Sequence, residues 1–224
     1  MKKINAAAAI RHLKKADSEL ASVIARVGPC RLDIRDGKTP HFVSLARAII
    51  FQQLSGKAAE TICGRVVAVS GGDLSAAAIT KASDEKLRGA GLSRGKLAAL
   101  RDLSARALDG RLALHSLGKL PDEEIIAQLV AVRGIGVWTA QMFLMFHLGR
   151  PDVLPVLDLG IRKGFAKVTG MKRLPAAVTL ERRAERWRPH RTVASWYLWR
   201  SLELPEELRH LPPRRQGAKN RNDS

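Results

Sequence analysis

Residues 129–163 read LVAVRGIGVWTAQMFLMFHLGRPDVLPVLDLGIRK, and the fold turns on how this stretch is parsed. Leu129, Val132 and Ile135 are the apolar positions around a Gly134-Ile135-Gly136 corner. A helix ending near Val132 needs a residue that tolerates positive φ, and Gly134 provides one. Gly136 then opens the next helix with no side chain in the way, so the first amides of that helix point outward as an anion site. Thr139 lies in the first turn of that helix, where its hydroxyl adds a candidate phosphate contact. Asp158 follows a loop, at a capping position for the helix beginning LGIRK. Its neighbours Val153, Leu154, Val156 and Leu157 are apolar, and a carboxylate in such a loop needs a reason beyond capping. A plain helical corner followed by a capped helix accounts for the same residues, so the rest of the chain has to decide.

Working outward, helical spacing continues almost everywhere. The sequence predicts helices over 5–27, 42–54, 57–69, 74–80, 84–90 and 95–108. Others are expected from Pro121 onward, where Asp122, Glu123 and Glu124 occupy a first turn, and over 137–148, 159–168, 178–187 and 191–202. Residues 30–40 read as a loop, with 30–35 as a candidate minor strand. The fold is expected to be all-α. Past Leu204 the chain becomes Pro-rich and basic, PEELRHLPPRRQGAKNRNDS, and is expected to be a mobile tail.

The 224 residues carry a formal net charge of +18. An imbalance of that size costs self-repulsion, and it points to a polyanion partner, nucleic acid first. Cys30 and Cys63 form no CxxC pair and cannot alone bind zinc. They read as reduced thiols. No apolar run approaches the ~18 residues of a membrane span. The start MKKINAAAAIRHLKK is too short in apolar residues for a signal-peptide core. A cytoplasmic protein of bacterial, nucleoid-associated type is therefore expected, with no membrane partner.

The stretch LVAVRGIGVWTA resembles the helix–hairpin–helix motif, and the Pro155 to Asp158 segment resembles the GPD part of the HhH-GPD DNA glycosylase superfamily. RAIIFQQLSGKAA at 47–59, AGLSRGKLAAL at 90–100 and ERWRPHRTVASWYLW at 185–199 extend the likeness to roughly 40–203, on the alkylation-repair, DNA-3-methyladenine glycosylase II side of the superfamily. The resemblance implies a two-lobed helical bundle with an active-site cleft between the lobes. One lobe would be 41–150, the other 1–40 plus 151–204, with 205–224 as the tail.

The resemblance also implies roles. Asp158 would be catalytic, stabilising the positive sugar that forms as a C1′–N bond breaks, and assisting water. Trp138 and Trp199 would line a pocket for an extruded base, with Phe51, Met142 and Tyr197 as further lining candidates. An indole face suits a cationic methylated purine. DNA contacts are expected from Arg133, Gly134, Gly136, Thr139, Gln53, Arg162 and Arg191. Leu92, with Arg94 as the alternative, is the expected wedge that fills the gap left by the base. Backbone carbonyls of Val130, Val132 and Gly134 would hold a monovalent cation that bridges to a phosphate. The lyase branch has a lysine where this chain has Trp138, so a monofunctional enzyme is expected. No cysteine follows Cys63, which excludes the four-cysteine iron–sulfur cluster of some members. No other cofactor is required, and a monomer on damaged double-stranded DNA is expected. Two other readings stay open: a glycosylase for deaminated, oxidised or mispaired bases, and a damage-binding module without chemistry.

Overall fold

A computed structural model describes residues 4–34 and 39–205. The expected tail at 205–224 lies, apart from Pro205, outside the described residues. Among the described residues there is no strand, and the expected strand at 30–35 is irregular chain over 30–34. The helices in chain order are α1 (Ala6–Ala16), α2 (Ser18–Val27), α3 (His41–Phe51), α4 (Gly56–Val69), α5 (Ala76–Lys81), α6 (Asp84–Gly89) and α7 (Arg94–Leu108). They continue as α8 (Leu114–Leu117), α9 (Asp122–Val130), α10 (Val137–Met142), α11 (Leu159–Thr169), α12 (Ala177–Ala184) and α13 (Arg191–Ser201). No helix among the described residues is long and apolar enough to cross a membrane.

Seven of these thirteen helices start where the sequence supplies a side-chain acceptor. Asn5, Asp17, Ser55, Ser75, Ser83, Ser93 and Asp158 each accept the amide three residues on. The chain divides into two compact units. Among the described residues, one is Asp33–Gly149, and the other joins the chain up to Leu32 to the chain from Arg150 onward.

In the first unit α3 is the central element. Phe42, Leu45, Ala46, Ile49 and Ile50 are buried along it, and α4 and α7 pack against it. The sequence predicts one helix over 137–148. The structure instead follows α10 with a π turn at Phe143–His147, closed by the Leu148 amide on the Phe143 carbonyl at 3.0 Å. Packing accounts for the wider turn. His147 is buried, stacks on Phe143 with ring centroids 4.6 Å apart, and meets His41 Nδ1 through its Nε2 at 2.7 Å. Such widened turns are enriched at functional sites.

In the second unit α11, α13 and α2 pack together around Leu20, Ile24, Ile161, Phe165, Tyr197 and Leu198. The helix predicted over 5–27 is two helices that meet at Asp17. That residue has extended backbone (φ −149°, ψ 107°) and ends α1 while capping α2. Its buried carboxylate accepts Arg183 Nε and Nη2, both at 2.8 Å, and Trp187 Nε1 at 2.9 Å. Burial raises its pKa. The bonds from Arg183, Trp187 and the Leu20 amide outweigh that, and hold it below the usual aspartate range.

A depressed folded-state pKa stabilises above the unfolded value and is lost as pH falls through the folded one. Asp17→Asn is therefore expected to cost about 2 kcal/mol at pH 7, less than a fully buried pair because Arg183 keeps Glu19. Thermal unfolding should show the gap between variant and wild type closing as pH drops below about 3.8.

Candidate functional site

The hairpin between α9 and α10 lies in the first unit. Gly134 has φ +78°, and a Cβ there would lie 3.0 Å from the Ala99 Cβ of α7. Glycine is required at Gly134 twice over, by backbone and by space. Gly134→Ala is expected to destabilise the first unit by about 1–2 kcal/mol and to weaken duplex binding, which melting and a DNA titration would read. Gly136 caps α10 without a side-chain acceptor, and a Cβ there would meet nothing within 4 Å, so the start of α10 is open. Gly134, Gly136 and Arg133 are exposed, and the Arg133 amide is fixed by Asp102 Oδ2 at 2.7 Å. Thr139 is not on that surface. It is only 7% exposed and turns into the unit, which removes the expected phosphate contact.

The three carbonyls expected to hold a cation are neutral oxygen donors, a ligand type that hard cations accept. Val132 O already accepts the Ile135 amide at 3.1 Å, and Gly134 O accepts Gln52 Nε2 at 2.9 Å. Each keeps its second lone pair for an ion. Among the described residues no cluster of three or more His, Cys, Asp or Glu could hold a metal.

Gln52 belongs to the loop after α3, a segment the sequence reading continued as helix to Leu54. Gln53 is exposed with φ +58°, the one non-glycine residue in that region among the described residues. Leu54 beside it is 37% exposed. Lys96 Nζ holds the end of α3 by donating to Ile50 O at 2.7 Å, and burial keeps its ammonium pKa below the usual lysine range. Leu92, the expected wedge, is only 2% exposed, so it is a packing residue that cannot enter a base stack. Arg94 is exposed at the first position of α7.

A cavity of about 320 Å³ opens in the same unit, beside α3 and α10. Phe51 and Met142 line it, together with Thr139, Phe146, His147 and Arg47. The Arg47 guanidinium lies 4.8 Å from the Phe51 ring centroid and pairs with Glu60 at 2.5 Å. Trp138, one residue from Thr139, is 50% exposed.

In the second unit Asp158 caps α11. Its Oδ1 accepts the Ile161 amide at 2.7 Å and Trp199 Nε1 at 2.9 Å. Two donors on one oxygen fix the carboxylate's rotation. Leu157 and Leu159 on either side are 73% and 52% exposed, so the carboxylate stands in an apolar part of the surface. Trp199 thus orients Asp158, a role the resemblance did not imply. The indole also covers Gly160, where a Cβ would lie 2.8 Å from its Cδ1.

Three expected site residues of this unit do other work. Tyr197 is fully buried, and its hydroxyl donates to Gly28 O at 2.9 Å. Burial and the neighbouring Cys30 push its pKa up to about 12. It is a core residue rather than a pocket lining. Arg191 is locked on Asp152 through Nε at 2.8 Å and Nη2 at 3.0 Å. Arg162 clasps Pro175 O with Nε and Nη2 at 3.1 and 3.0 Å. Both guanidinium groups hold the fold, which is why neither serves as a phosphate clamp.

Residues 46–189 match the family described as HhH-GPD superfamily base excision DNA repair protein. The chain is 30% identical to DNA-3-methyladenine glycosylase 1 of Schizosaccharomyces pombe, over 91% of each protein. Among solved structures it is similar to a DNA-3-methyladenine glycosidase from Bacillus halodurans, with a TM-score of 0.82 and 34% identity, over 93% of this chain and 97% of that one. It is also similar to the S. pombe 3-methyladenine DNA glycosylase in complex with abasic DNA, with a TM-score of 0.77 and 31% identity, over 88% and 98%.

Proposed function

The chain belongs to the HhH-GPD superfamily of base excision DNA repair proteins, and we propose that it is a monofunctional glycosylase for alkylated bases in duplex DNA. The substrate class is supported by the relatives, which are named for 3-methyladenine. The observation that carries the chemistry is Asp158, a carboxylate pinned by two donors between exposed leucines.

Breaking the N-glycosidic bond develops positive charge on the sugar, as in glycoside hydrolysis. A fixed anion stabilises that charge, most strongly where apolar neighbours exclude water. The same carboxylate orients and deprotonates the attacking water. A base already made cationic by methylation leaves without a general acid, so one carboxylate suffices.

A base must leave the duplex before any of this can happen. The open α10 start and the hairpin carbonyls would hold the phosphate backbone, the carbonyls through a monovalent cation. Leu54 takes the wedge role proposed from sequence for Leu92, because it is exposed on a loop held in an uncommon backbone conformation. The half-exposed face of Trp138 suits stacking with a cationic base. With an indole at the position where the lyase branch has an amine, no Schiff base forms.

The test is release of methylated bases from alkylated duplex. Wild type is expected to free 3-methyladenine or 7-methylguanine and to leave alkali-labile abasic sites. Borohydride is expected to trap no covalent adduct. Binding without release of any methylated, deaminated or oxidised base would overturn the glycosylase reading in favour of a damage-binding module.

A further inference from the structure

Lys96, Ala99, Asp102 and Arg106 lie along one side of α7 at helical spacing. Lys96 Nζ reaches Ile50 O, at the end of α3, at 2.7 Å. Ala99 Cβ lies against Gly134, where an added Cβ would be only 3.0 Å away. Asp102 Oδ2 accepts the Arg133 amide at 2.7 Å, and Arg106 Nε steadies that carboxylate at 3.0 and 3.1 Å. The side of α7 therefore touches the end of α3, just before the 52–55 loop, through one residue and the hairpin through two. Gln52 closes the circuit by donating from the loop to Gly134 O on the hairpin at 2.9 Å.

We propose that this side of α7, together with Gln52, is a rigid spacer that fixes the interval between the phosphate-holding hairpin and the gap-filling loop. Gln52, Lys96 and Asp102 are then positioning residues for base extrusion, an inference that rests on the roles proposed above for hairpin and loop. The physical case is mechanical. A side chain pushed into a base stack meets a restoring force. If the loop gives way, Leu54 retreats and the base stays in. If the loop is tied to the same helix that anchors the phosphate contact, the strain is passed to the DNA. The backbone at Gln53, with φ +58°, persists because its surroundings over-determine it, and the ties at Gln52 and Ile50 supply that constraint.

The test uses the full chain with Gln52→Leu, which removes the donor without changing charge, and Lys96→Met, which removes the second tie. Extrusion is read by 2-aminopurine fluorescence in duplex DNA, which rises when the base unstacks. Excision is read on one lesion placed either in a matched pair or in an unpaired bulge, where little extrusion work remains. Expected results for both variants are melting close to wild type and a fluorescence rise reduced by about half or more. Excision should be about tenfold slower on the matched lesion and less than about threefold slower on the bulged one. An unchanged fluorescence rise in both variants, or equal slowing on the two substrates, would overturn the spacer. If wild type unstacks 2-aminopurine but releases no base, the glycosylase reading fails. The fluorescence difference between variant and wild type still decides the spacer.

Discussion

Asp158→Asn is expected to bind alkylated duplex as well as wild type or slightly better, and to release methylated base about 10²–10³-fold more slowly. The substitution separates the two duties of the residue. Asparagine retains an oxygen that can accept the Ile161 amide and Trp199 Nε1, so the α11 cap and the orientation of the group persist. Only the charge is lost, and charge is what opposes the positive sugar of the transition state. Removing a negative group beside bound phosphate also relieves repulsion, which is why affinity should not fall. Single-turnover excision and a binding titration on the same duplex check both halves. Excision at the wild-type rate would remove Asp158 from the chemistry. Asp158→Ala would be a poorer test, because it uncaps the helix as well.

Gly164→Ala is expected to destabilise the second unit by about 3 kcal/mol or more. A Cβ at this position would lie 2.2 Å from Leu198 O and 2.7 Å from its carbonyl carbon. These are backbone atoms of α13, and no rotamer change moves them. The two helices would have to part, opening the packing of Ile161 and Phe165 against Leu198. Alanine elsewhere in a helix is favourable over glycine by roughly 0.5–1 kcal/mol. Gly64, inside α4 with nothing within 4 Å of its built Cβ, is the matched control, and its alanine variant should melt higher. The opposite signs of the two substitutions identify close helix approach, rather than glycine content, as the cause. Because α11 also carries Asp158 at its start, Gly164→Ala should lose excision along with stability.

The sequence made local features legible and non-local ones opaque. Helix starts were readable because a serine or aspartate acts three residues away, as at Ser83 and Ser93. The hairpin was readable because positive φ demands glycine at Gly134. Asp158 stood out because its charge conflicts with its neighbours, and the structure gives it a fixed orientation.

What failed depended on partners far along the chain. The break at Asp17 is set by Arg183 and Trp187, and the π turn by His41 against His147. Arg191 and Arg162 look like phosphate ligands in any basic sequence until Asp152 and Pro175 O are seen to hold them. Leu92 and Leu54 are the same residue type in similar loops, and only burial tells them apart. Tyr197 shares a helix with Trp199, but its ring faces the core.

The discontinuous second unit has a consequence for how the protein comes into being. Asp17 must wait for partners 166 and 170 residues further on. On a ribosome elongating at about 5–20 residues per second, that delay is roughly ten to thirty seconds. During it, Asp33–Gly149 emerges whole and can fold, while α1 and α2 keep their apolar faces in search of cover. The nascent chain therefore passes through a stage with a finished centre and an unfinished start. At that stage chaperones have an amphipathic hairpin of helices to hold, and a premature stop near residue 150 would release a chain that carries the hairpin proposed to hold DNA but not the aspartate proposed for the chemistry.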